Sequence, residues 1–156
     1  MESFILNVSS PVGTWGVEGD KKGLSHVYLP NERWRTSRGT APELVADAAE
    51  QLAEYFAGTR TRFLVARHET TATAFQRDVW GALTDIPFGE VRTYAQVAAA
   101  VNRPRASRAV GNANHANPWP VLVPCHRVVA ANGLGGYGGG DEVKRFLLAL
   151  EGVTFS

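Results

Sequence analysis

The spacing of apolar residues changes once along this chain, and the change divides it into two parts. Two short runs, residues 4–8 and 14–17, are joined by the turn-forming segment 9–13 and predict a β-hairpin. A third run, residues 24–29, can extend the same sheet, and residues 42–56 carry apolar side chains at helical spacing. The first part is therefore predicted to be a small sheet followed by one helix.

The second part is predicted to be mainly helical. Two short apolar segments, residues 94–101 and 105–114, have helical spacing and a tight connection, which predicts a helix-turn-helix. A further helix is predicted over residues 141–151, after a glycine-rich loop. The sequence thus predicts an α+β protein with domains over residues 1–72 and 73–156.

Acidic and basic residues are unevenly distributed, although the formal net charge is only +1. No Asp or Glu occurs between Glu90 and Asp141, whereas that interval contains Arg92, Arg103, Arg105, Arg108 and Arg127. A stretch of one charge sign is what a polyanion-binding surface needs, but a solvated basic loop explains the charge equally well. The small residues around Arg108 likewise suit close approach either to a nucleic-acid groove or to another helix.

Several classes of protein are excluded or disfavoured by composition. No run reaches the roughly 20 apolar residues of a membrane span and the N-terminus does not resemble a secretion signal, so we expect a cytoplasmic protein without a membrane partner. One cysteine and four scattered histidines predict neither a disulfide nor a metal site. Residues 133–138 match a dinucleotide-binding fingerprint, but too few residues follow to complete that fold, and no cofactor is expected.

The single cysteine, Cys125, is the candidate nucleophile. It follows an apolar run and precedes His126, and a neighbouring imidazole can lower the pKa of a thiol from about 8.5, which favours the reactive thiolate. Adjacent side chains of an extended strand point to opposite faces, so contact between the two requires a bend or a bridging water. Taken alone, a single cysteine is more often a small buried apolar residue.

The segment Pro124-Cys125-His126-Arg127-Val128 resembles the active-site motif of the O6-alkylguanine-DNA alkyltransferases, also called methylated-DNA–protein-cysteine methyltransferases. The first 72 residues resemble that family only loosely, through Ser10-Pro11-Val12-Gly13. The resemblance implies a ribonuclease H-like N-terminal domain and a C-terminal domain whose helix-turn-helix lies in the minor groove. Further matching elements are Phe75-Gln76, Val79-Trp80, Ile86-Pro87, Gly89, Thr93-Tyr94, Arg108-Ala109-Val110-Gly111, Asn117-Pro118 and Gly136-Tyr137.

The resemblance also implies an activity, the direct reversal of DNA damage. The alkyl group of O6-alkylguanine, with O4-alkylthymine as a second candidate substrate, would pass once and irreversibly to Cys125 without a cofactor. His126 would act on the cysteine through water, and Glu151 would orient His126, as in a hydrolase triad. From its position alone, Glu151 would be interpreted as a surface helix residue. The implied partner is double-stranded DNA, and the implied state is a monomer.

Five residues are implied to form the guanine pocket. Tyr94 would stabilise the departing guanine through a hydrogen bond at N3, and Asn117 would brace the turn beside the site. The carbonyl of Val123, Tyr137 and the backbone near Gly138 would contact the base. Some members carry serine where this chain has Gly138, so a side-chain bond to O6 is not expected there.

Four residues are implied to contact DNA. Arg108 would enter the duplex in place of the extruded nucleotide, because O6 of a stacked guanine cannot present its alkyl carbon to a protein sulfur. Arg105, Ala109 and Thr93 are the further candidates. Asn114, on the same predicted helix, is assigned no role.

Three alternatives belong to other functional classes. The first is a non-catalytic alkyltransferase-like protein that binds lesions, against which Cys125 argues. The second is a cysteine hydrolase, which turnover on a small ester would reveal. The third is a transcriptional regulator built on the helix-turn-helix, for which the additional cysteines of a sensor domain would be expected.

Overall fold

An antiparallel sheet and one helix form the first of two compact units. The computed structural model describes residues 3–68 and 71–155, and the chain divides into units over residues 1–70 and 71–156. The sheet of the first unit has the order β1-β2-β3, and its helix α1 follows β3 along the chain. The elements are β1 (Phe4–Ser10), β2 (Gly13–Gly19), β3 (Leu24–Tyr28) and α1 (Glu43–Phe56).

The alternation of the strands places their apolar residues on the face that α1 covers. Val8 pairs with Trp15 and Val17 pairs with Val27, and all four side chains are buried. The helix contributes apolar side chains at helical spacing, and the ring of Phe56 lies 5.1 Å from that of Trp15, centroid to centroid. Its buried apolar residues are Val45, Ala48, Leu52, Tyr55 and Phe56.

Four helices and a two-stranded parallel sheet form the second unit. The two strands pair Arg92 with Val128 and Thr93 with Val129, which holds the chain that follows Cys125 against the start of α3. The helices α2, α3 and α4 pack against one another, and the indole of Trp80 donates a 2.8 Å hydrogen bond to the carbonyl of Ala113. The elements are α2 (Ala74–Thr84), β4 (Arg92–Thr93), α3 (Tyr94–Ala100), α4 (Ser107–His115), a 3₁₀ turn (Cys125–Arg127), β5 (Val128–Val129) and α5 (Asp141–Leu150).

The predicted α+β class is confirmed, whereas two helix boundaries differ from prediction. The helix predicted from Arg105 begins only at Ser107, because Ala106 donates a 2.9 Å backbone hydrogen bond to Arg103 in a preceding turn. Arg105 therefore lies before α4, not on it. The last helix ends at Leu150, so Glu151 is its C-cap residue. No helix within the described ranges has the length and apolar character needed to span a membrane.

Candidate active site

The backbone bends sharply at Cys125. The peptide nitrogen of Cys125 donates a 2.7 Å hydrogen bond to the carbonyl of Val123, which makes a tight turn centred on Pro124 with φ −80° and ψ 67°. A 3₁₀ turn follows over Cys125–Arg127, and the amide of Asn114 donates a 3.2 Å bond to the carbonyl of Cys125. The segment is thus bent where an extended strand would have separated Cys125 from His126, and Asn114 has a structural role that the sequence did not indicate.

The expected lowering of the pKa of Cys125 by its histidine neighbour is wrong. Burial raises the pKa of the Cys125 thiol, because the charged thiolate loses its hydration. Four groups act in the opposite direction and lower this pKa: the side chain of Asn117, the positive charge of Lys144, the side chain of Tyr137 and the backbone of Cys125 itself. At rest the cysteine is therefore a thiol that already has partners suited to its thiolate.

Asn117 braces the turn that precedes Cys125. Its amide nitrogen donates a 2.8 Å hydrogen bond to the carbonyl of Val123, and its amide oxygen accepts one of 2.9 Å from the peptide nitrogen of Trp119. Val121, inside this turn, has φ 76°, which is strained for a β-branched residue. The Val123 carbonyl, which the resemblance assigned to the guanine edge, already accepts two hydrogen bonds, so contact with a base would have to share or displace one of them.

His126, Glu151 and Arg127 form a buried polar cluster. Nε2 of His126 lies 2.7 Å from Oε2 of Glu151, and both side chains are 0% exposed. Since a carboxylate can only accept, Nε2 carries the proton of the neutral imidazole and Nδ1 is its basic nitrogen. Burial lowers the pKa of His126, and the nearby charges of Arg127 and Lys144 lower it further, whereas Glu151 raises it. The imidazole is thereby kept neutral and able to accept a proton.

Glu151 is buried by its partners although its position suggests a surface residue. Four donors approach its carboxylate: Nε of Arg127 at 2.8 Å, Nη2 of Arg127 at 3.0 Å, the peptide nitrogen of Gly89 at 3.3 Å and Nε2 of His126 at 2.7 Å. A carboxylate with this many donors can be buried at tolerable cost. No local signal identifies Glu151, because every one of these partners comes from a distant part of the second unit.

Lys144 is a site residue that the sequence analysis missed. Its side chain is fully buried on α5, and Nζ donates hydrogen bonds of 2.6 Å to the carbonyl of Val128 and 3.0 Å to that of Gly136. Burial lowers the pKa of Lys144 to about 8, while Cys125 and Asp141 act in the opposite direction. A usable signal existed: Lys144 lies three and four residues before the apolar Leu147 and Leu148, on the buried face of the helix.

The glycine-rich loop lies against Tyr94 at the start of α3. The Tyr94 hydroxyl donates a 3.5 Å hydrogen bond to the carbonyl of Gly136, and burial raises the pKa of this phenol. Gly135 has φ 76°, and a Cβ there would come within 3.1 Å of the Tyr94 hydroxyl oxygen. Only glycine therefore fits at this position. The predicted pocket residues Tyr94 and Tyr137 are both coupled to Cys125, because Cys125 raises the pKa of Tyr94 and Tyr137 lowers that of Cys125.

The predicted DNA contacts lie on the outer face of the helix-turn-helix, with one exception. Arg105, Arg108 and Ala109 are exposed, whereas Val110 on the opposite face of α4 is buried. Thr93 is half-buried and caps α3, with its hydroxyl accepting a 3.1 Å bond from the peptide nitrogen of Gln96. The small residues of α4 thus serve helix packing on one face and leave the other face free for a groove.

Comparison with known proteins agrees with this arrangement. The family model described as 6-O-methylguanine DNA methyltransferase, DNA binding domain, matches residues 74–153. The methylated-DNA–protein-cysteine methyltransferase of Methanosarcina acetivorans is 43% identical, over 92% of this chain and 94% of that protein. The constitutive methylated-DNA–protein-cysteine methyltransferase of Bacillus subtilis is 39% identical, over 98% of both.

Solved structures give the same result over almost the whole chain. The crystal structure of the O6-methylguanine methyltransferase of Mycobacterium tuberculosis has a TM-score of 0.84 at 38% identity and covers 96% of this chain and 93% of its own. A structure of the M. tuberculosis protein in complex with DNA has a TM-score of 0.85 at 40% identity. With the bent cysteine segment, the buried His126–Glu151 pair and the full-length similarity in agreement, the chain belongs to the methylated-DNA–protein-cysteine methyltransferase family.

Proposed function

We propose that this chain repairs DNA by direct reversal, transferring the alkyl group of O6-alkylguanine in double-stranded DNA to Sγ of Cys125. Membership of the family and its relatives' names support the reaction class. The observation that carries the assignment to this residue is that the buried Cys125 immediately precedes His126, whose imidazole pairs with Glu151, while Asn117, Tyr137 and Lys144 act to favour the thiolate. Each molecule acts once and is consumed.

The reaction needs no atom beyond the thiol and the lesion. The thiol proton passes to Nδ1 of His126 through water, and the thiolate attacks the alkyl carbon while the bond from that carbon to O6 breaks. Guanine leaves with the bonding electrons and takes up a proton, so the proton lost by the thiol is accounted for. The resulting thioether offers water no good leaving group, which makes the transfer irreversible.

Access to the alkyl carbon requires the nucleotide to leave the base stack. We assign Arg108 to the gap that it vacates and Arg105, Ala109 and Thr93 to the backbone around it, supported by the exposed outer face of α4. Tyr94, Tyr137, Gly138 and the Val123 carbonyl would line the pocket for the base.

Two broader proposals accompany this function. The boundary near residue 72 would separate a ribonuclease H-like domain from the domain that binds DNA and performs the transfer, supported by the two compact units. Separate expression of residues 73–156 followed by the transfer assay tests this division. A cytoplasmic location is supported by the single thiol, which a reducing compartment keeps available, and cell fractionation tests it.

The decisive experiment is to incubate the protein with duplex DNA that contains one O6-methylguanine and to measure the intact and peptide masses. One added methyl group on the Cys125 peptide, at a limit of one per protein, is expected. An unmodified protein that still binds the lesion duplex would contradict the transfer and would favour the non-catalytic lesion-binding alternative. A second duplex with O4-methylthymine defines the substrate range.

Two variants test the proposed roles of Cys125 as the nucleophile and of Arg108 in extruding the nucleotide. Cys125→Ala should abolish transfer yet retain lesion binding, because it removes only the nucleophile. Arg108→Ala should mainly weaken extrusion, so its defect should shrink when the lesion lies opposite a gap in the complementary strand. Methyl transfer by the cysteine variant would overturn the mechanism.

A further inference from the structure

The Arg127 side chain is held rigidly in the site, yet it has no step in the proposed reaction. Its Nε and Nη2 form a fork on the two oxygens of Glu151 at 2.8 Å and 3.0 Å, and Nη1 donates a 2.7 Å bond to the carbonyl of Ile86. The guanidinium carbon also lies 5.9 Å from the centroid of the Phe88 ring. The Arg127 side chain is only 8% exposed, so it is a buried cation that is paired with a carboxylate and hydrogen-bonded to the backbone.

The two hydrogen bonds from Arg127 change how the Glu151 carboxylate affects the protonation of His126. A buried carboxylate paired with histidine alone favours the imidazolium form, because the positive charge compensates its own. Here the guanidinium compensates Glu151 through both oxygens, and His126 shares only Oε2 with it. The carboxylate can therefore orient the imidazole without stabilising its protonated form to the same extent.

We propose that Arg127 is a positioning residue that neutralises the charge of Glu151, so that His126 remains a neutral imidazole whose Nδ1 can accept the thiol proton. The inference rests on the transfer reaction proposed above. It gives Arg127, next to the histidine in sequence, a part in setting the acid limit of the reaction.

The charges around His126 are consistent with this role. Glu151 and Lys144 approach from α5, while Arg127 and Cys125 lie on the same 3₁₀ turn. The charged residues of α2, Arg77 and Asp78, are exposed. Among these groups only Glu151 favours the imidazolium, and Arg127 is bonded directly to it. Arg127 thus offsets Glu151 more directly than Lys144 does.

A purely structural role for Arg127 predicts a different result. The guanidinium also ties Glu151 to the chain at Ile86, so its loss could simply loosen the end of α5. Loosening would reduce the transfer rate by a similar factor at every pH. A change in the charge that acts on His126 would instead move the acid limb of the pH–rate profile.

The test is single-turnover methyl transfer from the O6-methylguanine duplex, at saturating DNA, over a pH series. In Arg127→Met the uncompensated Glu151 should raise the midpoint of the acid limb by about one pH unit or more, with the largest rate loss at low pH. Arg145→Met, which removes an exposed arginine of α5, should keep the wild-type midpoint. An unchanged midpoint in Arg127→Met, or an equal shift in Arg145→Met, would overturn the proposal.

A second measurement uses the unaltered protein and does not depend on the variant folding. Nitrogen-15 NMR of the histidine side chains should show His126 as the neutral Nε2–H tautomer at and below pH 6.5, the ordinary pKa of histidine. An imidazolium at pH 6.5 would overturn the proposal. Absence of methyl transfer by the wild-type protein would instead contradict the proposed function, and the NMR titration would still decide the protonation of His126.

Discussion

The two units bury different kinds of side chain. In the described part of the first unit the core is apolar, and Gln51 is the one buried polar side chain. The described part of the second unit buries six, which are Asn114, Asn117, His126, Arg127, Lys144 and Glu151. Buried charges cost free energy unless they are paired and hydrogen-bonded, so the second unit gives up stability to hold reactive groups in place.

Backbone strain follows the same division. Among the described residues, the two non-glycine residues with positive φ are Asn102 at 60° and Val121 at 76°, both in the second unit. Asparagine tolerates this region, whereas a β-branched valine does not, so the turn before Cys125 persists because the bonds of Asn117 hold it. Burial thus stabilises the first unit and positions reactive groups in the second.

The largest expected effect comes from one matched substitution in each unit. Leu52→Ala and Leu147→Ala each remove a fully buried leucine and should each cost about 2–5 kcal/mol of unfolding free energy. Only Leu147→Ala should also slow transfer by the folded protein, because Leu147 lies on α5, which carries Lys144 and has Glu151 as its C-cap residue. Denaturant unfolding and single-turnover transfer measure the two quantities. Equal transfer rates for the two variants would show that burial in the second unit contributes to stability alone and does not position the reactive groups.

A smaller effect is expected from the pH dependence of stability. The folded-state pKa of Lys144 is about 8 against 10.5 in the unfolded chain, so between these values the unfolded state binds more protons and stability rises with pH. This contribution of Lys144 should amount to about 2 kcal/mol between pH 8 and 10, so Lys144→Met should rise less in stability than the wild type by about that amount.

The exposed Lys22 of the first unit provides the control for this prediction. Lys22→Met should retain the wild-type rise, since Lys22 is exposed and its bond to the carboxylate of Asp20 comes from the backbone nitrogen, which the substitution keeps. Urea unfolding at a series of pH values measures the slopes. Equal slopes for the wild type and Lys144→Met would show that the buried lysine does not carry the effect.

Loss of a buried amide should cost about 1–2 kcal/mol of unfolding free energy in either unit, but should slow transfer only in the second. Asn114→Ala leaves the carbonyl of Cys125 without its 3.2 Å donor, and Gln51→Ala removes the bonds to both backbone groups of Leu64. Both should reduce stability, but only Asn114→Ala should slow transfer by freeing the Cys125 segment. A wild-type transfer rate in Asn114→Ala would confine that residue to a stabilising role.

The smallest expected effect separates stability from DNA binding within the second unit. Thr73 and Thr93 both cap helices through a capping box, so each alanine substitution should cost about 1 kcal/mol. Thr93→Ala should in addition weaken binding to duplex DNA, whereas Thr73→Ala should not. Fluorescence anisotropy with a labelled duplex, at fixed salt, measures this difference. Equal affinities of the two variants for the duplex would show that Thr93 does not contact DNA.

The sequence predicted the elements of both units well where local signals are strong. Alternation predicted the three strands of the first sheet, and helical spacing predicted α1 to within one residue of its start. The start of α4 was placed too early, because the spacing of small residues does not reveal the turn at Arg103–Ala106. Periodicity reports on burial along one element and says little about how a turn closes.

By itself the sequence determined the α+β class, the order of the elements, the single thiol that could react and the imidazole next to it, and the family resemblance led to Glu151. The tertiary structure alone decided which carbonyls Lys144 bonds to, that Arg127 pairs with Glu151 and that burial raises the pKa of Cys125. The partners are distant along the chain: 16 positions separate Lys144 from Val128, and 25 separate His126 from Glu151. Such pairings arise only when the fold brings distant residues together, and no local pattern encodes them.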